Sequence, residues 1–506
     1  MKYDQFFRLP EGPHRVTSDS LSSRSRAPRR RPGPTRRMGL KTGLAVLVLL
    51  LASGALPAAA QRPGVPLPAP GSPFWGGVPT GTASPQPISL SLYAAIKSAL
   101  ANNLGVLSAE EAVDRADGAR RLALSELLPN VRGGVSEAVR KTNLEAFGFP
   151  IREPFPRVVG PYDVFDARVF LRQSVLDLRA LNAERAEGHR LAAARLSYRS
   201  ARDLIVLAAA NLYLEAVAAR ARVDAAKAQL ETARALHAQA LDLRSAGTVA
   251  GIEVLRAEVR LSLEQQRTTA ATNTFEKAKL QLARMIGLPL RQDFTLTEAV
   301  PSLPLPQLTL DEVVAQAYAQ RPDYLAAEQR LKAAEAEVSS ARSGFLPSLE
   351  VTGDYGVIGL SVAQSLPTFS VVGQVNVPLF EGGRTQGRTA QARADLAQRR
   401  AEFEDLRAAV YYNARVGFLD LKSAEEQVQT ATRARELADL QLTQARDRFA
   451  AGVASNLEVV QAQEAVAGAT EGYISALYDL NIAKAMVLGS PGSLEQAIEA
   501  YLGTIR

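Results

Sequence analysis

The chain has 506 residues, with 59 Lys and Arg against 52 Asp and Glu, 47% hydrophobic residues, no cysteine and three histidines. The missing cysteine excludes disulfides, thiolate metal sites, cysteine nucleophiles and lipid attachment to a cysteine of this chain, and His14, His189 and His237 are too few for a histidine-rich metal cluster. The formal charge of +7 sits at the front: residues 1–41 hold 11 Lys/Arg and 3 Asp/Glu, so the remaining 48 basic and 49 acidic side chains nearly cancel and no nucleic-acid surface is expected.

Behind the basic segment come LAVLVLLLASG, Leu44 to Gly54, and ALPAAAQ, Ala55 to Gln61. A basic flank, a short apolar run and a small-residue junction at Ala60 and Gln61 read as a secretory signal over residues 1–60. The apolar run is shorter than the ~20 residues of a membrane-spanning helix, and a start at Met38 leaves Lys41 as its flank. Residues 61–88 carry eight of the 28 prolines, which argues against a helix or central strand and predicts an extended arm. Trp75, the single tryptophan, is read as a linker residue of that arm rather than a docking anchor. No later stretch reaches 18 uninterrupted apolar residues, so no further transmembrane helix is expected.

Residues 89–305 and 306–490 read as two copies of one unit, followed by a tail at 491–506. Leu90 to Asn130 aligns without a gap on Leu308 to Ser348, at an offset of 218. In the second copy Thr309 and Glu312 have capping-box spacing, and both copies end their helices at a leucine-proline step, Leu128-Pro129 and Leu346-Pro347. Alternating segments follow. FSVVGQVNVPLF puts Phe369, Val371, Val375, Val377 and Leu379 on one parity and Ser370, Gln374 and Asn376 on the other. YDVFDARVFLRQ puts Phe165, Ala167, Val169 and Leu171 opposite Asp166, Arg168 and Arg172. Strands are therefore expected at about 131–142, 162–173, 349–358 and 369–380, each near the ~9 to 11 residues that cross a bilayer at a tilt. The alternation alone also fits soluble hairpins packed on the helices. Two hairpins per chain, however, cannot close a barrel, so membrane strands would need copies of themselves.

The segments after the strands are long and alanine-rich, with helical hairpins expected at about 178–287 and 383–488. Leu204, Leu207, Asn211, Leu214, Ala218, Ala221, Ala225 and Ala228 step by three and four, as in a coiled-coil seam. AGTVAGIE from Ala246 and AGVASNLE from Ala451 repeat at an offset of 205 and mark the hairpin tips. Gly247 and Gly452 suit a left-handed residue ending a helix, while Ser455 and Glu458 can form a capping box for the next.

The export signal, the tandem repeat, two strands per copy, the leucine-proline steps, PLFEGGR at Pro378 to Arg384 and the tip motifs together resemble the TolC family of outer-membrane efflux and secretion channels, from about Leu90 to Gly489. The resemblance implies a mixed α and β membrane protein: a homotrimer in which four strands per chain build a twelve-stranded β-barrel in outer-membrane lipid, and long helical coiled-coil hairpins form an α-barrel in the periplasm. It implies a passive conduit without cofactors, joined by a periplasmic adaptor protein to an inner-membrane transporter. Glu253 and Glu458 match positions where the family prototype has aspartates near its constricted mouth, and Gln461 stands at a second such position, so these three are candidates for a pore constriction. Phe449 and Ala454 replace the tyrosine and arginine of the prototype's latch and are candidates for gate packing. Gly247, Thr248, Val249, Gly452, Val453 and Ser455 are candidates for adaptor contact. Glu458 also suits simple helix capping.

Export of small molecules, protein secretion through the same architecture, and a soluble periplasmic coiled-coil scaffold are the readings carried forward. An enzyme is not expected: no nucleophile-base cluster, phosphate loop or metal motif is present, and the adjacent pairs Asp311-Glu312 and Glu425-Glu426 point away from each other on their helices.

Overall fold

A computed structural model describes residues 72–148, 156–297, 309–451 and 456–492, together with 154, 453, 494 and 495. The expected signal, the first part of the arm and most of the tail lie outside the described residues.

The described chain opens with a single turn, Pro73–Trp75, and a short strand β1 (Ile88–Leu90). Here the arm departs from its expectation. Phe74 and Trp75 pack against the protein's main core, and the Phe74 ring lies so close to Gly105 that any side chain there would collide with it. Proline spacing foretells extended backbone; it does not say whether intervening aromatics find a surface.

Helix α1 (Leu92–Asn102) starts at Ser91, whose hydroxyl accepts from the Ala94 amide, and α2 (Leu104–Ser125) follows after Asn103. Strands β2 (Asn130–Asn143) and β3 (Val158–Leu176) form an antiparallel hairpin. Helix α3 (Leu178–Ser245) has 68 residues, about 100 Å at ~1.5 Å per residue, and α4 (Gly251–Met285) folds back along it before β4 (Phe294–Leu296) pairs parallel with β1. The second copy repeats the order as α5 (Leu310–Gln320), α6 (Pro322–Ser343), β5 (Ser348–Gly359), β6 (Leu366–Asn376), α7 (Arg384–Ala450) and α8 (Asn456–Gly489). Helices α1 and α5, helices α2 and α6, and strands β2 and β5 each begin 218 residues apart, the offset of the sequence repeat. The capping box at α5 forms as its spacing foretold: the Glu312 amide donates to Thr309 Oγ1, and the Thr309 amide donates to the Glu312 carboxylate at 2.8 Å.

All four long strands join one antiparallel sheet in the order β2-β3-β5-β6. Strand β6 stops at Asn376, short of the expected residue 380, because Pro378 has no amide to offer a ladder and Gly382 and Gly383 then turn the chain at positive φ into α7. The helices keep the same lateral order as the strands. Along its first half α3 lies between α2 and α6, tied by Arg120 to Glu184 at 2.9 Å and by Asn182 to Ser343. Along its second half it lies between α4 and α8, and α7 packs beside first α6 and then α8.

The core forms a belt halfway along α3. Ile205, Val206, Leu212, Tyr213 and Ala216 are buried among α1, the end of α4, β1 and β4, and the Tyr213 hydroxyl donates to the Leu90 carbonyl. The expected seam is therefore only partly right. Asn211, Leu214 and Ala218 are buried, but the belt covers α3 on nearly all sides, while Ala221, Ala225 and Ala228 line an open cleft of about 580 Å³ between α3 and the α7/α8 hairpin. The same belt explains why α3 is long and apolar enough by composition to cross a membrane: its apolar window is mostly buried inside the protein.

Candidate channel surfaces

Strand register decides what each face of the sheet carries. Val131, Val135 and Val139 of β2 share a face with Phe165, Val169 and Leu171 of β3, with Leu349, Val351 and Tyr355 of β5, and with Phe369, Val371 and Val375 of β6. This face, apolar apart from Glu137 opposite Phe165 and Asp163 opposite Val139, is bare: Val135 is 75% exposed, Tyr355 68% and Phe369 77%. A soluble hairpin would turn that side onto the helices, whereas here it is left uncovered. The opposite face carries Arg132, Ser136, Arg140, Asp166, Arg168, Arg172, Glu350, Thr352, Asp354, Ser370 and Gln374. Arg168 bridges Asp166 and Asp354, and Arg172 holds Glu350 at 2.6 Å, so the charges of β3 and β5 on this face are paired with one another.

At the far end of the helices the two tips close alike. Gly247 has φ +73°, and the Thr248 amide reaches back to the Leu243 carbonyl at 3.0 Å. The Val453 amide makes the equivalent bond to the Arg448 carbonyl at 3.0 Å, 205 residues on. These are helix-ending bonds to the carbonyl five residues back, which at the first tip the left-handed Gly247 permits. Thr248 and Val453 are exposed and Val249 is half-buried. Gly452, Ala454 and Ser455 lie outside the described residues, and with them the expected Ser455 capping box.

Glu253 sits in the first turn of α4 and binds Arg256 at 2.6 Å; Glu458 sits in the first turn of α8 and faces Arg448, at the end of α7, at 3.6 Å. Both carboxylates thus have a cation of their own chain beside them. Gln461 is exposed, and Gln463 two residues on is the buried one. Phe449 is half-buried against a cluster of Leu442, Ala445, Val459, Ala462 and Val466, which holds α7 to α8.

The outer membrane efflux protein family model matches residues 95–288 and 313–490, the two repeats seen above. The chain belongs to this family. It is an outer-membrane protein whose efflux-family relatives include the pyoverdine export outer membrane protein OpmQ of Pseudomonas putida, 27% identical over 54% of this chain and 59% of the relative. It is also similar to the alkaline protease secretion protein AprF of Pseudomonas aeruginosa, 25% identical over 66% of this chain and 71% of the relative. The chain thus spans somewhat under two thirds of the first of these proteins and somewhat over two thirds of the second. Among solved structures, the CmeC outer membrane channel of Campylobacter jejuni superposes with a TM-score of 0.72 at 19% identity, covering 81% of this chain and 88% of that one. That likeness establishes the shared fold.

In this efflux-family member, sequence reasoning missed the polar links between the two helical hairpins. Arg260, Glu264 and Arg267 of α4 gather with Glu464 of α8: Arg260 pairs with Glu264 at 2.7 Å and with Glu464, and Arg267 reaches Glu464 at 3.2 Å. Arg260 and Glu264 are buried, and burial pushes the Arg260 guanidinium below its ordinary pKa. Further along, Arg222 binds Glu471 at 2.9 Å and Tyr478 donates to Asn211 at 2.5 Å. The spacing of Arg260, Glu264 and Arg267 marks one helix face, but nothing local points to Glu464.

Proposed function

We propose that three copies close edge to edge into an exit duct across the outer membrane. The observation that carries this reading is that sheet and helical layer share one lateral order. Strands β2 and β6 are the free edges of the sheet, and the helices nearest them in the chain, α2 and α7, are the free edges of the layer below. One chain therefore ends on both sides in unpaired strand edges beneath a bare apolar face, and both defects vanish if β2 of one copy pairs with β6 of the next. Edge helices support the same closure: α4 exposes Ile252, Leu255, Val259 and Leu263 at helical spacing, and α7 exposes Leu437 and Leu440. The wet face then lines the lumen, and the helices continue it as a cylinder through the periplasm.

The cargo on this reading is small molecules, passed passively from a periplasmic adaptor and an inner-membrane transporter. OpmQ, named for pyoverdine export, supports it; the likeness to AprF, named for alkaline protease secretion, supports protein cargo as the second reading. The tips at Gly247, Thr248, Val249 and Val453, with Gly452 and Ser455, serve as the adaptor contact. Glu253 and Glu458 border the constriction with Gln461, their charge moderated by Arg256 and Arg448, and Phe449 acts by packing, alongside Ala454. Mass measurement of the detergent-extracted chain tests the assembly: three copies per particle are expected, and a monomer that stays soluble without detergent overturns the reading.

A further inference from the structure

Charge on the wet face of the sheet is unevenly shared among its strands. Asp166 and Asp354 are both engaged by Arg168, and Glu350 by Arg172, so the wet-face carboxylates of β3 and β5 are already taken. The other two guanidinium groups of this face, Arg132 and Arg140, lie on β2, opposite Phe170 and Tyr162. Neither makes an ion pair among the described residues, and Arg132 instead rests over the Phe170 ring, 5.6 Å from its centre. Strand β2 is an edge. On the trimeric reading, on which this inference rests, its new neighbour is β6 of a sister copy, and Leu366–Asn376 contains no charged residue at all. Closure therefore brings Thr368, Ser370 and Gln374 toward the arginines and no carboxylate.

Between the two arginines the wet face of β2 carries only Gly134, Ser136 and Ala138, so nothing bulky separates them along roughly 26 Å of strand at ~3.3 Å per residue. At the inner end, Arg132 borders a cavity of about 330 Å³ shared with Phe170, Arg172, Glu350 and Glu126. Glu126 lines the same cavity, and Asp166, though held by Arg168, is within electrostatic reach of Arg140, so each arginine has a carboxylate nearby but no ion pair of its own. A cation facing a narrow lumen with low-dielectric walls focuses field along the pore and concentrates anions.

We propose that each seam between copies is an anion track, in which Arg132 and Arg140 successively bind small inorganic and organic anions as they leave through the barrel. Selectivity is then set in the barrel rather than at the periplasmic tips, where Glu253 and Glu458 each have an arginine beside them.

The full chain in planar bilayers under a potassium chloride gradient tests this. Arg132→Gln with Arg140→Gln is expected to lower the chloride-to-potassium permeability ratio on the order of twofold, while Arg132→Lys with Arg140→Lys keeps it. Ser370→Glu on β6, which leaves both arginines in place, is expected to lower the ratio in the same direction. Open channels whose ratio is unchanged by the glutamine pair and by Ser370→Glu overturn the anion track alone, as does a lysine pair that behaves like the glutamine pair. An assembled wild-type protein with no conductance overturns the duct reading and the track together.

Discussion

Arg267 of α4 and Glu464 of α8 meet at 3.2 Å across the boundary between the two helical hairpins, beside the buried pair of Arg260 and Glu264. Removing Glu464 leaves the Arg260 cation enclosed with one carboxylate to share between two arginines. Because Glu464 is itself about half exposed, Glu464→Gln is expected to cost about 1–2 kcal/mol, below the range for breaking a fully buried pair. Hydrogen exchange over residues 256–268 should accelerate roughly tenfold, as 1.4 kcal/mol of local opening implies; unchanged protection would show that helix packing alone holds the hairpins together.

Asp203 of α3, next to the core belt, offers a pH test. Burial raises its carboxyl to about 6, despite the Glu495 amide donating to it at 3.3 Å. A carboxyl raised on folding favours the folded contact fully below its unfolded value near 3.8, and that contribution disappears as pH rises through about 6. The docking of residues 494–495 onto α3 is therefore expected to be tighter at pH 5 than at pH 7.5. The difference should be at most about 1 kcal/mol once screening of this partly exposed group is counted. Asp203→Asn should flatten the dependence of thermal stability on pH across that interval.

The two faces of the sheet should tolerate opposite changes. Val371→Arg places a charge on the bare apolar face and is expected to cost about 2–4 kcal/mol if it lies near the bilayer midplane. Ser370→Arg, one residue away on the wet face, should cost far less. Folding yield into lipid vesicles separates the two; equal yields would deny the face assignment.

At the tips, Gly247→Val forces a branched side chain into φ +73° and should destabilise the turn by about 1–2 kcal/mol. Val453→Asp changes an exposed residue without that strain. It is expected to reduce dye efflux from cells that carry the partner pump while leaving oligomer yield unchanged, and normal efflux would remove Val453 from the adaptor contact.

Much of this fold was legible because its periods are long and repeated. The alternation of Phe165 to Leu171 named a two-faced strand, and the twin tips at Gly247 and Gly452 named two hairpins. What alternation could not say was which way the apolar side turned, since Val135 and Phe369 would look the same beneath a helix as beneath lipid. Tertiary pairings such as Arg260 with Glu464 left no local mark, because hairpin partners about two hundred residues apart meet only once α3 has brought them together. Trp75 misled for a related reason: its setting among prolines described the backbone and not the core surface within its reach.

The closure of sister sheets can be read directly from engineered disulfides, since the chain has no cysteine of its own. Within one chain β2 and β6 are the first and fourth strands of the sheet, so their residues stand roughly 14 Å apart at ~4.8 Å per strand, too far for the ~7 Å limit of a disulfide. Val135→Cys combined in turn with cysteine at Phe369, Val371, Gly373 or Val375 is expected to yield, for at least one pair, an oxidised ladder on a denaturing gel that ends at three chains. No cross-link from any pair, or a ladder that runs on past three, would contradict the account.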